Sequence, residues 1–352
     1  MSDEFRELLK KVGSGVHTGK NLTRSEAEAA TIMMLQQTAT PAQIGAFAIA
    51  HRIKRPTPEE LAGMLDAYDR LGKKLTCNSQ PAIVLGNPYD GRSRTVPVTP
   101  ITALILATAG FSVIMHGGER MPTKYGIPTI EIWQKLGVDF ASFSLVQSEA
   151  FLSKTKIGFV YLPQYFPLAH QLVPYREQIG KRPPLATLEL IWCPVVGQTS
   201  IVAGFVHPPT EERFQKTFIL RKIEDYTTVK GLEGSCDLAR SRTAIIGIKK
   251  PHADFERLLL HPSDYDLGGK DLTLESEPLA IEEIRAVIEG KKSELMSTAI
   301  LNGGFYLWRL GICQTIAAGC DCAEKMLIKG EIADKLSQLR SFREEIRTEQ
   351  GK

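Results

Sequence analysis

The stretch that most constrains this chain is 82–126. It holds two apolar runs, 82–85 and 111–115, and each delivers a polar, glycine-bearing turn. The first turn is 86–95 and the second is 116–124. Between them, 99–109 predicts a helix by its length and its Leu, Ile and Ala content. Strand, loop, helix, strand, loop is half of a doubly wound α/β sheet. Both loops fall at the carboxyl ends of strands, where ligands of such sheets bind. Small-molecule or phosphate chemistry is therefore expected beside these two loops.

With 352 residues the chain is long enough for two domains. Residues 1–72 read as four short helices: 5–12, 24–37, 42–53 and 59–71. Thr23 with Glu26 predicts a capping box, and Pro41 and Pro58 open the next two helices. Helices this short bury little alone and call for partner helices or a second subunit. From 82 onward strands and helices alternate. Further strands are expected at 157–161, 200–206, 225–229 and 243–248, and helices at 128–136, 144–153, 163–180 and 211–220. The segment 251–270 reads as a loop excursion. Four helices close the chain, at 281–289, 293–310, 321–328 and 332–347.

The formal charge of +3 is mild and does not by itself call for nucleic acid, although local patches can. The longest apolar run, 101–115, is too short for a bilayer and is broken by Gly110, so no membrane partner is expected. The acidic start lacks the plan of a signal peptide. Six scattered cysteines read as free thiols in a reducing cytoplasm, and cytoplasmic localisation is expected. Cys236, with a glycine-rich turn before it and Arg240 after it, is the one thiol whose surroundings suggest reactivity, and a plain structural thiol is the simpler reading.

Four stretches then carry a likeness: QIGAFAIAHRIKRPTPEELAGMLDA at 43–67, LATAGFSVIMHGGERMPTKYGIPTIEIWQKLGV at 106–138, VPYREQIGKR at 173–182, and the helical run 301–336. In this order they resemble the anthranilate phosphoribosyltransferases, relatives of the pyrimidine nucleoside phosphorylases. The resemblance implies an α/β protein of the nucleoside phosphorylase/phosphoribosyltransferase fold. A small all-α domain would comprise 1–72 plus about 163–190. A large α/β domain, 73–162 plus 191–352, would hold a central, mostly parallel sheet flanked by helices. A homodimer through the small domains is implied as well.

The residues that would serve transfer from phosphoribosyl pyrophosphate match only in part. The family's Gly-Thr-Gly-Gly-Asp loop falls on Gly86, Asn87, Pro88, Tyr89 and Asp90. Gly86 and Asp90 fit. Pro88 has no N–H to donate, and Tyr89 resists the positive φ a glycine accepts. In the second loop only His116 and Gly117 fit, because Met115, Gly118 and Glu119 stand where the family has lysine, asparagine and arginine. The family's acidic magnesium pair falls near Cys236 and Asp237, with Glu233 as a stand-in, so magnesium is implied only for a catalytic member. Arg176 and Arg182 both fit the substrate-side segment.

New cations accompany these losses. Arg92 and Arg94 lie in the first loop, and Arg120 and Lys124 in the second. Lys230, Arg240, Arg242, Lys249 and Lys250 lie near the third, and Arg52, Lys54, Arg55 and Lys181 lie beyond. If the fold holds, they gather around the cleft at the strand ends, which suits a polyanion. A branch of the family with similarly altered phosphate loops is associated with sequence-independent nucleic-acid binding, and this chain resembles a divergent paralogue of that kind. The expected phosphate or polyanion contacts are Gly86, Asp90, Arg92, Arg94, His116, Gly117, Arg120 and Lys124. Arg176 and Arg182 are expected on the substrate side, and Glu233 and Asp237 at any metal. No catalytic residue is assigned. Two readings stay open: a homodimeric nucleic-acid binder for which phosphoribosyl pyrophosphate is not the expected ligand, or a glycosyltransferase that transfers a phosphoribosyl group to an altered substrate.

Overall fold

The computed structural model describes residues 3–15, 17–77 and 82–350. The amino-terminal helices are Asp3–Gly13, Arg24–Leu35, Pro41–Lys54 and Pro58–Leu71. Three successive capping boxes set their starts. Thr23, Thr40 and Thr57 each accept from the N–H three residues on, and Glu26, Gln43 and Glu60 reach back to the cap N–H. Glu60 also ties the bundle together. Its buried carboxylate accepts from Leu22 N–H at 2.8 Å, Lys54 Nζ at 2.6 Å and His51 Nε2 at 3.1 Å. Burial alone would raise its pKa, but His51 and Lys54 outweigh burial and bring it to about 2.

The apolar faces of these helices find their partners a hundred residues later. Met34, Ile44, Phe47 and Met64 line one small cavity together with Leu172, Tyr175, Pro183 and Leu185. The expected single helix over 163–180 is instead three short ones, Leu162–Tyr165, Pro167–His170 and Val173–Ile179. Pro167 and Pro174 explain the breaks, since neither donates an N–H, and Phe166, before Pro167, is held out of the helical region at φ −140°.

Among the described residues the strands are β1 (Leu75–Thr76), β2 (Ala82–Leu85), β3 (Ser112–Gly117), β4 (Ile157–Tyr161), β5 (Val195–Val196), β6 (Thr199–Gly204), β7 (Tyr226–Val229), β8 (Ala244–Lys249) and β9 (Glu256–Leu260). Seven of them form one sheet in the order β4-β3-β2-β6-β7-β8-β9, and β1 pairs with β5 separately. The first five of the seven run parallel, with Val84 opposite both Ile114 and Ile201 and with Gly204 opposite Val229. β2, β3, β4 and β7 are buried throughout, as strands covered by helices on both faces must be. β8 and β9 are antiparallel. β9 lies inside 251–270, the segment that reads as a loop. It is an edge strand with two exposed charged residues, Glu256 and Arg257, so it shows no alternation.

Trp133 and Trp192 are core residues, and Trp308 packs partly buried against the core. All six cysteines are free. No helix among the described residues is long and apolar enough to cross a membrane.

Candidate anion-binding cleft

β2 and β6 are neighbours, yet the chain leaves β2 for β3 on one side and leaves β6 for β7 on the other. This is the point where strand order reverses, and their carboxyl ends splay apart there. The loop 86–95 follows β2, the turn 205–207 follows β6, and the turn 231–237 follows β7. Over them hang the end of the helix Pro41–Lys54 and the segment 182–190. The result is a cleft of about 410 Å³.

Six cations line this cleft: Arg52, Arg55, Arg94, Lys124, Arg182 and Arg213. Glu233 is the one carboxylate among the lining residues, and His207, Thr187 and Thr210 add polar groups. Arg55 ends its helix at φ +69° and faces Arg213, which rises from the helix Pro208–Leu220. Burial lowers the Arg213 pKa, and repulsion from Arg55 lowers it further. Among the described residues, Arg52, Arg55 and Arg213 have no carboxylate ion-pair partner. The Arg94 side chain is 79% exposed and lies 3.9 Å from Glu233. Two like charges held together across a cleft cost stability unless an anion joins them.

Beneath the cleft lies a buried ion cluster. The Arg92 guanidinium donates from Nη1 to Asp237 Oδ2 at 2.8 Å and to Ser235 Oγ at 2.9 Å, and from Nε to Glu233 Oε1 at 3.2 Å. Asp237 also accepts from Thr99 Oγ1 at 2.7 Å and from Val98 N–H at 3.1 Å. Glycine is needed to bring the turn 231–237 this close. A Cβ on Gly204 would stand 2.2 Å from the Ser235 carbonyl oxygen.

The expected site residues separate into three groups. Arg94, Lys124, Arg182 and Glu233 meet in the cleft. Asp90 supports it, buried and gripping Arg182 at two points of 2.6 Å, and Gly86 allows the loop to pass the Leu190 and Val202 carbonyl oxygens. Arg92 and Asp237 lie buried under the cleft floor. The others lie elsewhere. His116 is buried against Trp192, and its Nδ1 shares a 2.5 Å hydrogen bond with the Tyr89 hydroxyl. Burial pushes its pKa down to about 3, so it is neutral and not an anion ligand. Gly117 sits in the same packing, beside the Tyr89 ring. Arg120 is held by Glu131 and Glu277 on the outer surface. Arg176 is buried on Glu189 and on Met121 Sδ, and burial lowers its guanidinium to about 10. It lacks access to the cleft.

Nor do the basic residues after β7 gather there. Arg240 donates to the Leu267 carbonyl, Arg242 to the Gly231 carbonyl and Lys249 to the Ala253 carbonyl. Arg213 and His207 went unnoticed in the sequence, where nothing in their spacing sets them apart. Cys236 is fully buried and its pKa is raised, chiefly by burial, which makes it a structural thiol.

The residues do not fit a magnesium ion. A divalent cation needs free carboxylate oxygens, and here a guanidinium lies between Glu233 and Asp237 and takes both. No cluster of three or more His, Cys, Asp and Glu side chains disposed to hold a metal occurs among the described residues.

The helical bundle domain of the glycosyl transferase family matches residues 6–72, and the α/β domain of that family matches 90–333. An anthranilate phosphoribosyltransferase of Afipia carboxidovorans is 28% identical over 352 residues, covering 96% of this chain and 98% of its own. One from Acetivibrio thermocellus is 26% identical over 342 residues, covering 95% and 96%. The solved anthranilate phosphoribosyltransferase of Saccharomyces cerevisiae in complex with PRPP and Mg superposes with a TM-score of 0.84 at 14% identity, covering 98% of this chain and 99% of the other. At that identity the superposition speaks for the fold alone. Bundle, sheet and sequence agree, and the chain belongs to the glycosyl transferase family, as a relative of the anthranilate phosphoribosyltransferases.

Proposed function

We propose that this protein binds nucleic acid without sequence preference, as a cytoplasmic homodimer, through the cleft at the strand ends. The observation that carries this reading is the unpaired set Arg52, Arg55 and Arg213, joined by Arg94 in one cleft whose lining holds a single carboxylate. Such a surface gains from phosphates and from the counterions they release. In this reading affinity rests on contacts with the phosphate backbone, which carry no sequence information. The dimer is proposed on the likeness of the chain to the anthranilate phosphoribosyltransferases.

Fluorescence anisotropy with a labelled single-stranded oligonucleotide tests the reading. If four to six phosphates are neutralised, log K falls with log salt at a slope of about −3 to −4. Absence of binding at low salt would overturn it. Light scattering on the eluting protein checks the dimer.

A second reading, phosphoribosyl transfer to an altered acceptor, draws on Arg182 at the cleft wall and on Gly86 and Asp90 buried behind it. Against it stand Pro88, the buried Tyr89, and Arg92 wedged between the two carboxylates. Calorimetry with phosphoribosyl pyrophosphate, with and without magnesium, separates the two readings.

A further inference from the structure

Glu233 is offered more hydrogen bonds than a carboxylate can use. Four donors reach Oε1: the N–H groups of Arg94 at 3.0 Å and Thr95 at 3.1 Å, Thr95 Oγ1 at 3.2 Å and Arg92 Nε at 3.2 Å. Three reach Oε2: the N–H of Ser93 at 3.2 Å, Ser93 Oγ at 3.3 Å and Lys124 Nζ at 3.3 Å. Arg94 Nε lies beyond them at 3.9 Å. A carboxylate presents about four lone-pair sites. Three successive backbone N–H groups converging on one anion form a nest, and nests bind phosphate. Two hydroxyls and three cations complete a donor set that suits a phosphate group, with its larger charge and additional oxygen, better than the carboxylate now in it.

The carboxylate is brought there by a short turn. Glu233 sits at φ +54° and ψ +21°, between Leu232 and a Gly234 at φ +82°. Glu233 and Gly234 both line the cleft, so a side chain leaving the nest enters the open space that a ligand would approach through. Arg92 remains anchored on Asp237 and Ser235 when Glu233 leaves. Burial alone would raise the Glu233 pKa, but Arg92 and Lys124 hold it at about 2. At neutral pH the nest therefore holds a full negative charge.

We propose that the loop Ser93–Thr95 is a phosphate subsite that the protein closes with its own Glu233, and that a phosphate of the ligand replaces this carboxylate. The inference deepens the nucleic-acid reading, since it names where one phosphate of a bound strand docks. It does not depend on a strand, because free inorganic phosphate has the same chemistry.

Amide resonances of Ser93, Arg94 and Thr95 in the ¹⁵N-labelled full chain provide the test. Inorganic phosphate and a short oligodeoxythymidylate are titrated separately into the native protein and into Glu233→Gln. In the variant, phosphate is expected to shift all three amides and to bind at least about tenfold tighter than to the native chain. If Glu233→Gln does not fold, Glu233→Asp carries the same readout, because it keeps the charge and withdraws it by one methylene. A folded variant whose three amides respond to neither ligand overturns the subsite, even where the oligonucleotide still binds the cleft. The reverse result, phosphate shifting these amides while no oligonucleotide binds, upholds the subsite and overturns the nucleic-acid reading.

Discussion

The Arg182 guanidinium holds the Asp90 carboxylate by two parallel contacts of 2.6 Å, from Nε and from Nη2. Asp90 is buried and Arg182 is only partly so, with 34% of its side chain exposed at the cleft wall. The carboxylate thus withdraws one cation from the cleft. Asp90→Asn releases it. Oligonucleotide affinity should rise by about threefold to tenfold, while stability falls by about 1–3 kcal/mol through the weakened charged hydrogen bonds. Anisotropy and urea unfolding report the two effects, and an affinity that falls would show that the pair positions Arg182 for binding.

Arg213→Ala separates binding from folding in the other direction. The native Arg213 is strained by burial and by Arg55. Its removal should leave the urea midpoint unchanged or raise it. The same variant should weaken oligonucleotide binding and flatten the salt slope by about 0.7, the increment for one phosphate contact on a single strand.

Acid should unfold the protein in two stages. His116 has a folded pKa of about 3 against an ordinary 6.5. The unfolded chain therefore takes up a proton that the folded chain refuses, and stability is lost as pH falls from 6.5 toward 3. Each unit of separation corresponds to about 1.4 kcal/mol. Glu60 and Glu233, both near 2 against 4.5, add a further loss as pH falls below 4.5. Urea midpoints across this range check the sum. His116→Gln should remove the slope between pH 6.5 and 4.5 and leave the lower one.

The frame of the protein was legible in its residues, and the reasons are local. Runs such as 82–85 and 157–161 are apolar and bounded by turn signals, and they are strands with those limits. Thr23 with Glu26 gave a helix start that the structure contains. The segment 163–180, rich in polar and aromatic residues, reads as one helix, but Pro167 and Pro174 inside it break the run. The cleft was harder to read, because its cations come from five separate parts of the chain. Arg120 and Lys124 are four residues apart and look alike in sequence. One meets Glu131 and Glu277 outside, and the other enters the cleft. Only packing distinguishes them.

Gly204→Ala tests the turn that carries Glu233. The new methyl group would meet the Ser235 and Gly234 carbonyl oxygens at 2.2 and 2.3 Å, both of them backbone. The expected loss is about 1–3 kcal/mol. The displaced turn should also loosen Glu233 from the loop Ser93–Thr95, seen as faster hydrogen exchange at those three amides. Loss of stability with protection intact would place the strain in β6 instead.

The helical layer is assembled from both ends of a long gap in the chain. Its first four helices are finished by Leu71, and Phe5 already packs on Phe47 within them, but the cavity that Phe47 and Met64 line is completed only from Leu172 onward. At the ribosome the nascent bundle must wait for more than a hundred further residues, on the order of ten seconds of synthesis. During that interval its apolar face is open to any neighbour. A truncation at the end of the fourth helix would leave that side of Phe47 and Met64 permanently uncovered.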